Sequence, residues 1–180
     1  MIPPTTSTPT APPAWTQSKE RVSFHEVGHA IVDQLAAGTT EGCCVTMVDG
    51  EWVGVNPPLE IKTGFKTMSR EEGRNYLAGL WGGWAAVNIA ITTGLLPREP
   101  VRIEAVPGDR GFLGGPGSDD DWIKKISAIV YPADPAGLAD EARQLALGLL
   151  RPRMTAAAAL ADQLAGRGFL AAEDIADALK

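Results

Sequence analysis

The first strong hydrophobic pattern in the chain follows Ser18. Its apolar residues recur at three- or four-residue spacing: Phe24, Val27, Ile31 and Leu35. This spacing places them on one face of a helix, and a glycine such as Gly38 is typical just past a helix end. We therefore expect a helix of about five turns between Ser18 and Gly38.

A second pattern, rich in β-branched residues, covers residues 43–55 and is divided by Asp49 and Gly50. An Asp-Gly pair between two apolar runs is a strong signal for a β-hairpin, because both central residues of its turn need a positive φ. Two prolines at 57 and 58 end the pattern. The segment therefore predicts a small antiparallel hairpin.

The rest of the chain predicts further helices. Ser69 and Glu72 have the spacing of a capping box and precede a long apolar stretch, which predicts a largely buried helix over about 70–93. Ser118 is expected to open a helix that ends near Val130. Apolar periodicity beyond residue 132 predicts three short amphipathic helices: about 135–150, 153–166 and 171–179. The expected fold class is mainly α (α+β), with a small β-hairpin.

Two segments lack this periodicity. Residues 1–16 are rich in Pro and Thr and predict a disordered tail, which leaves residues 17–180 as the folded domain. Residues 95–117 are rich in Gly, Pro and charge and predict a long loop. A chain of 180 residues has room for one well-buried core and excludes a multi-domain machine.

Composition and charge narrow the function classes. The 16 Lys and Arg residues against 22 Asp and Glu residues give a net charge of −6 with no basic block, so nucleic acid is not an expected partner. No apolar run is long enough to span a bilayer, which predicts a soluble protein and no membrane contact. The cysteines, Cys43 and Cys44, are adjacent and poorly placed to bridge each other. A reducing, cytoplasmic location is therefore expected.

The segment from His25 to His29 reads H-E-x-x-H and lies within the first predicted helix. Residues four apart lie on the same helical face, so both imidazoles can bind one Zn²⁺ ion. Glu26 lies one residue further round, within reach of a water molecule on the metal. The pattern can also arise by chance, but these are the two histidines of the whole chain, which argues against accident. The sequence therefore predicts a zinc site that is suited to hydrolysis.

A catalytic zinc site commonly has three protein ligands, and the chain has no third histidine. Cys43 or Cys44 could supply a thiolate, but both lie in a predicted strand and fit small buried apolar positions. Three consecutive carboxylates after Ser118 are the other candidates: Asp119, Asp120 and Asp121. They also fit ordinary capping residues at a helix start. Successive helical residues fan out by about 100°, so at most one of them can be a good ligand.

These motifs resemble the peptidase domain of the FtsH family, the M41 zinc metallopeptidases, over roughly residues 20–180. Residues 24–30, FHEVGHA, are similar to the family's HEAGHA helix, and residues 80–87 are similar to its Gly-Gly-Arg-x-Ala-Glu helix. Trp84 and Val87 replace the Arg and the Glu of that second motif. The family's third ligand is an Asp just before a hydrophobic residue at a helix start. The resemblance therefore implies Asp121, before Trp122, with Asp120 and then Asp119 as alternatives.

The resemblance implies a zinc-dependent endopeptidase in which Glu26 is the general base. The chain contains no G-x-x-x-x-G-K-[ST] motif, so we expect no ATP requirement and a flexible or unfolded polypeptide as substrate. With Asp121 as the ligand, Ile126 and Ile129 are expected to bury their helix against the zinc helix. The altered positions 84 and 87 favour an alternative, a metal-binding pseudo-peptidase that acts as a peptide- or protein-interaction domain.

Overall fold

The computed structural model describes residues 17–57, 64–98 and 118–180. Within these ranges the helices and strands follow one another along the chain as α1 (Lys19–Ala36), β1 (Cys43–Val48), β2 (Glu51–Val55), α2 (Arg70–Thr92), α3 (Asp119–Val130), α4 (Pro135–Leu150), α5 (Met154–Arg167), β3 (Phe169–Leu170) and α6 (Ala172–Ala178). Short 3-10 helices occupy Phe65–Thr67 and Arg151–Arg153. The fold is mainly helical with a small antiparallel sheet, which confirms the expected fold class. The predicted tail, and residues 99–117 of the predicted loop, lie outside the described residues.

Serine side chains define where three of the helices begin. The hydroxyl of Ser18 accepts a hydrogen bond from the backbone N–H of Arg21, and α1 starts one residue after Ser18. Ser69 and Glu72 form the predicted capping box at the start of α2. Ser118 caps α3, which therefore starts with an aspartate. Each cap occupies backbone donors that the first turn of a helix leaves without partners.

The strands form one sheet in the order β2, β1, β3. The turn between β1 and β2 has positive φ angles at both central residues, 51° at Asp49 and 84° at Gly50, as the hairpin prediction requires. The third strand was not expected. Its two residues, Phe169 and Leu170, pair with Cys44 and Cys43, so the chain end returns to the hairpin near the start of the fold.

The centre of the core is the contact between α1 and α2. Gly28 of α1 faces Gly82 of α2, and a Cβ atom at either position would overlap the backbone carbonyl of the other. The absence of side chains lets the two helices approach until their backbones touch. The neighbouring buried side chains on these helices are small or branched: Val27, Ala30, Ile31, Ala78, Ala85 and Ala86. The glycines that weaken α2 as an isolated helix thus allow it to pack against α1.

Helix α3 packs against α2 and α4 through Ile123 and Ile126, both of which are buried. The expectation that Ile129 also buries this helix is wrong, because Ile129 is 42% exposed. Residues 123 and 126 lie close to the direction of residue 119 around the helix, whereas residue 129 lies about 80° to one side of it. The buried face of α3 is therefore centred near Asp119.

The helix crossing gives a test of packing. Gly28→Ala should destabilise the protein by about 1–3 kcal/mol, because its methyl group meets backbone that cannot move aside. The matched control is Gly148→Ala in α4, where a Cβ would have no neighbour within 4 Å. That change should instead stabilise the protein by about 0.5–1 kcal/mol through helix propensity. Urea unfolding measures both; equal effects of the two changes would contradict the close crossing.

Candidate metal site

The two histidines of α1 point to the same place. The Nε2 atoms of His25 and His29 lie 3.0 Å apart. The Nδ1 atom of His29 lies 2.7 Å from the carbonyl oxygen of Gly79 in α2. Because a carbonyl oxygen only accepts hydrogen bonds, Nδ1 carries a proton and donates it there. This contact orients the ring, so that Nε2 faces His25.

The carboxylate that meets the histidines belongs to Asp119. Its Oδ2 atom lies 3.3 Å from Nε2 of His25 and 3.3 Å from Nε2 of His29. Asp121, the preferred ligand in the sequence interpretation, instead pairs with Lys125 at 2.7 Å, and Asp120 pairs with Lys124. The Ser118 cap makes Asp119 the first helical residue, and the buried face of α3 turns Asp119 toward the histidines. The structure therefore favours Asp119 over Asp121 as the third ligand.

The spacing of these donors suits a tetrahedral ion. Ligand atoms about 2.0–2.2 Å from a tetrahedral Zn²⁺ lie roughly 3.3 Å from one another. The three separations here, 3.0, 3.3 and 3.3 Å, are close to that value. In residues 17–57, 64–98 and 118–180, these are the side chains whose metal-binding atoms converge in this way, and neither Cys43 nor Cys44 belongs to the group.

Gly83 provides the room that the site needs. A Cβ atom at this position of α2 would overlap the Nε2 atoms of both His25 and His29. Any other residue would therefore fill the space beside the two nitrogen atoms. The donor set and this space together fit a small cation. Nitrogen and oxygen donors of this kind suit Zn²⁺, but they also bind other divalent first-row metals.

His29 and Asp119 shift each other's pKa. Burial lowers the pKa of His29, but the carboxylates of Asp119 and Glu26 and the hydrogen bond to Gly79 together outweigh burial, and the pKa is raised to about 10. Burial would conversely raise the pKa of Asp119, but the two histidines hold it well below its usual range. A metal ion at this position must replace the proton on His29, so its affinity decreases with decreasing pH.

Glu26 is buried beside the histidines and packs against β2. A Cβ atom at Gly54 would overlap the carboxyl group of Glu26, so the strand passes directly over this side chain. Burial raises the pKa of Glu26, and the nearby histidines oppose that shift. A carboxylate that is desolvated beside cationic groups has the character of a general base. Gly54 was not predicted as a site residue, although a glycine within a predicted strand signals a close approach of backbone.

Asp33 is, like Glu26, a buried carboxylate of α1, but it was not predicted from the sequence. It lies four residues after His29, and the stripe His25, His29, Asp33 at helical spacing was the available signal. Its carboxylate occupies the space that a side chain at Gly79 would fill. Burial raises the pKa of Asp33 to about 6, although the positive charge of His29 and a hydrogen bond from Asn56 both lower it. Asp33 lies one helical turn beyond His29 and is not part of the group formed by His25, His29 and Asp119.

The two positions that depart from the FtsH pattern lie on the same helix. The ring of Trp84 stacks edge-on against Trp81 and lies near the guanidinium group of Arg143. Val87 is buried in the core, where the family pattern has a carboxylate. Both residues pack as apolar groups.

No model of a known protein family matches the chain, and no curated protein matches its sequence. The resemblance to FtsH-type peptidases therefore depends on the motifs quoted above. None of the helices in the described part of the chain is both long and apolar enough to cross a membrane.

The assignment of the third ligand is tested with three variants. Asp119→Asn should bring bound zinc well below one equivalent after dialysis against a weak chelator, because a neutral amide is a poor zinc ligand. Asp120→Asn and Asp121→Asn are matched controls from the same helical turn. Each removes a carboxylate that pairs with a lysine outside the histidine group, and both variants should retain zinc, with about 1 kcal/mol of stability lost. Loss of zinc in Asp121→Asn alone would restore the original assignment.

Asp33 gives a pH-dependent test. Its pKa is higher in the folded protein, about 6, than its ordinary value of 3.8. Wild type therefore loses stability relative to Asp33→Asn as the pH rises from about 4 through 6, by up to about 3 kcal/mol. Urea unfolding of the metal-free proteins between pH 4 and 8 measures this difference. Asp162→Asn, which removes an exposed carboxylate of α5, is the control for the loss of one negative charge.

Proposed function

We propose that this protein is a zinc-dependent endopeptidase that hydrolyses flexible or unfolded polypeptide without ATP. The observation that carries the proposal is the convergence of His25, His29 and Asp119, with the buried carboxylate of Glu26 beside them. Two histidines and one carboxylate form a ligand set that leaves a fourth position open on a tetrahedral ion. When bound, zinc supplies Lewis-acid chemistry: it polarises a carbonyl group and lowers the pKa of water.

Each residue then has a defined task. His25, His29 and Asp119 would hold the ion, and the hydrogen bond from His29 to Gly79 fixes one imidazole. Glu26 takes a proton from the attacking water and passes it to the leaving amine. The raised pKa of Glu26 favours this role, because a carboxyl group with a higher pKa is a better proton acceptor. Gly54 allows the carboxylate to lie under β2.

The position of β2 favours a polypeptide substrate. In the part of the chain that the structure describes, β2 has a strand partner on one side only, namely β1. An extended peptide can add to such an edge through backbone hydrogen bonds, whatever its sequence. Because Gly54 of this strand contacts Glu26, a peptide bond bound along the edge would lie close to the general base. Only flexible or unfolded chains can adopt this extended form.

The alternative is a metal-binding pseudo-peptidase that holds a peptide or protein partner without cleaving it. It is favoured by the apolar packing of Trp84 and Val87, where the resembled family has an Arg and a Glu. Burying a carboxylate costs stability, however, and a binding domain does not need Glu26. The retention of that carboxylate beside the histidines favours the enzyme.

Glu26→Gln separates these functions. The amide keeps the shape of the side chain but cannot accept the proton, so cleavage of an unfolded polypeptide should fall by about 100-fold or more. Zinc content should stay at one equivalent. The control is Glu20→Gln, an exposed glutamate on the same helix, which should retain both properties. An inactive wild type that still binds zinc and unfolded polypeptide would support the pseudo-peptidase, and an active Glu26→Gln protein would contradict the mechanism.

A further inference from the structure

Helix α3 exposes two large apolar side chains on one flank. Trp122 is 45% exposed and Ile129 is 42% exposed. They are seven residues apart, so they lie about 20° from each other around the helix, to one side of the buried face that contains Ile123 and Ile126. This pair is the α3 apolar flank. Single exposed apolar residues are common on protein surfaces. This pair differs in its position, because it begins three residues after Asp119.

The α3 apolar flank begins at the candidate metal site. Trp122 follows Asp119 by three residues, and side chains at that spacing are neighbours on a helix surface, with Cβ atoms about 5–6 Å apart. Asp119 contacts both histidines at 3.3 Å. Trp122 and Asp119 are therefore neighbouring positions on the surface of α3, while Ile129 lies about 10 Å further along the helix.

Lys125 restrains the indole ring. Its Nζ atom lies 5.5 Å from the centroid of the Trp122 ring and 2.7 Å from Oδ2 of Asp121. The ammonium group is thus shared between a carboxylate and an aromatic face, an arrangement that favours one orientation of both side chains. A restrained, half-exposed aromatic ring loses little conformational entropy when it binds another apolar group.

We propose that Trp122 is a specificity-determining residue, whose indole ring binds an aromatic or large aliphatic side chain of the polypeptide close to the bond that is cleaved. The inference rests on the proposed peptidase function. Unfolded polypeptides expose the apolar side chains that folded proteins bury, so they are the class of partner that this flank suits. Ile129 extends the same apolar contact along α3. Preference for such residues is thus a property of α3, separate from backbone recognition at β2.

Two peptides that differ at one residue test the inference. One carries a Phe and the other a Ser at the position next to the cleaved bond, and the ratio of their kcat/KM values measures the preference. Wild type should prefer the Phe peptide, and Trp122→Ala should reduce the ratio of the two kcat/KM values by about 10-fold at full zinc content. Trp122→Phe should retain most of the preference. The control is Phe169→Ala, which removes an aromatic side chain of similar exposure from β3 and should leave the ratio unchanged. An unaltered ratio in Trp122→Ala would overturn the proposal.

A binding experiment keeps this result separate from a failure of the peptidase function. In the Glu26→Gln background, fluorescence anisotropy of the same labelled peptides measures affinity without turnover. The Phe peptide should bind more tightly than the Ser peptide, and adding Trp122→Ala should remove about a 10-fold difference in Kd. If wild type cleaves neither peptide, the proposed function fails while this comparison still tests Trp122. Equal affinity for the two peptides, or no binding of either, would overturn the role of Trp122.

Discussion

The close approach of α1 and α2 is the constraint on which the rest of the structure depends. Gly28 and Gly82 bring the two backbones into contact, and the glycines on either side of Gly82 then face polar side chains of α1. Gly79 faces Asp33 and supplies the carbonyl oxygen that orients His29, and Gly83 leaves space beside both imidazoles. A single glycine-rich face of α2 thus serves both the core and the candidate site. This dual use explains why a long buried helix contains residues that weaken it as an isolated helix.

The electrostatics of the site follow from the same packing. Glu26 and Asp33 are removed from water by β2 and α2, and burial raises the pKa of both carboxyl groups. Asp119 remains partly exposed and is charged because the histidines stabilise it. Glu26 and Asp33 lie about two turns apart on α1, and Asp119 lies at the start of α3. The three carboxylates therefore acquire different proton affinities. The proposed function gives two of these carboxylates different roles, cation binding by Asp119 and proton transfer by Glu26.

The exact start of α3 decides which chemistry this helix presents. The cap at Ser118 makes Asp119 the first helical residue, and the burial of Ile123 and Ile126 turns it toward α1 and α2. The same rotation places Trp122 on the flank rather than in the core. The candidate ligand Asp119 and the exposed ring of Trp122 thus result from one packing arrangement.

The sequence by itself determined most of the local structure. The helix boundaries, the hairpin turn at Asp49 and Gly50, and the capping box at Ser69 followed from propensities and short-range hydrogen bonds, and the structure agrees with them. The H-E-x-x-H spacing similarly placed His25 and His29 on one face, because four residues are close to one helical turn. These properties depend on residues that are near one another along the chain.

Only the tertiary structure decided which distant residues meet. Successive residues of α3 point in directions about 100° apart, so the orientation of the helix about its axis decides which of Asp119, Asp120 and Asp121 faces the histidines. Packing against α2 and α4 sets that orientation. The pairing of Phe169 and Leu170 with β1, and the contact of Gly54 with Glu26, join segments that are many residues apart. Local pattern carries no information about such contacts, because they result from the way in which the whole core fills its volume.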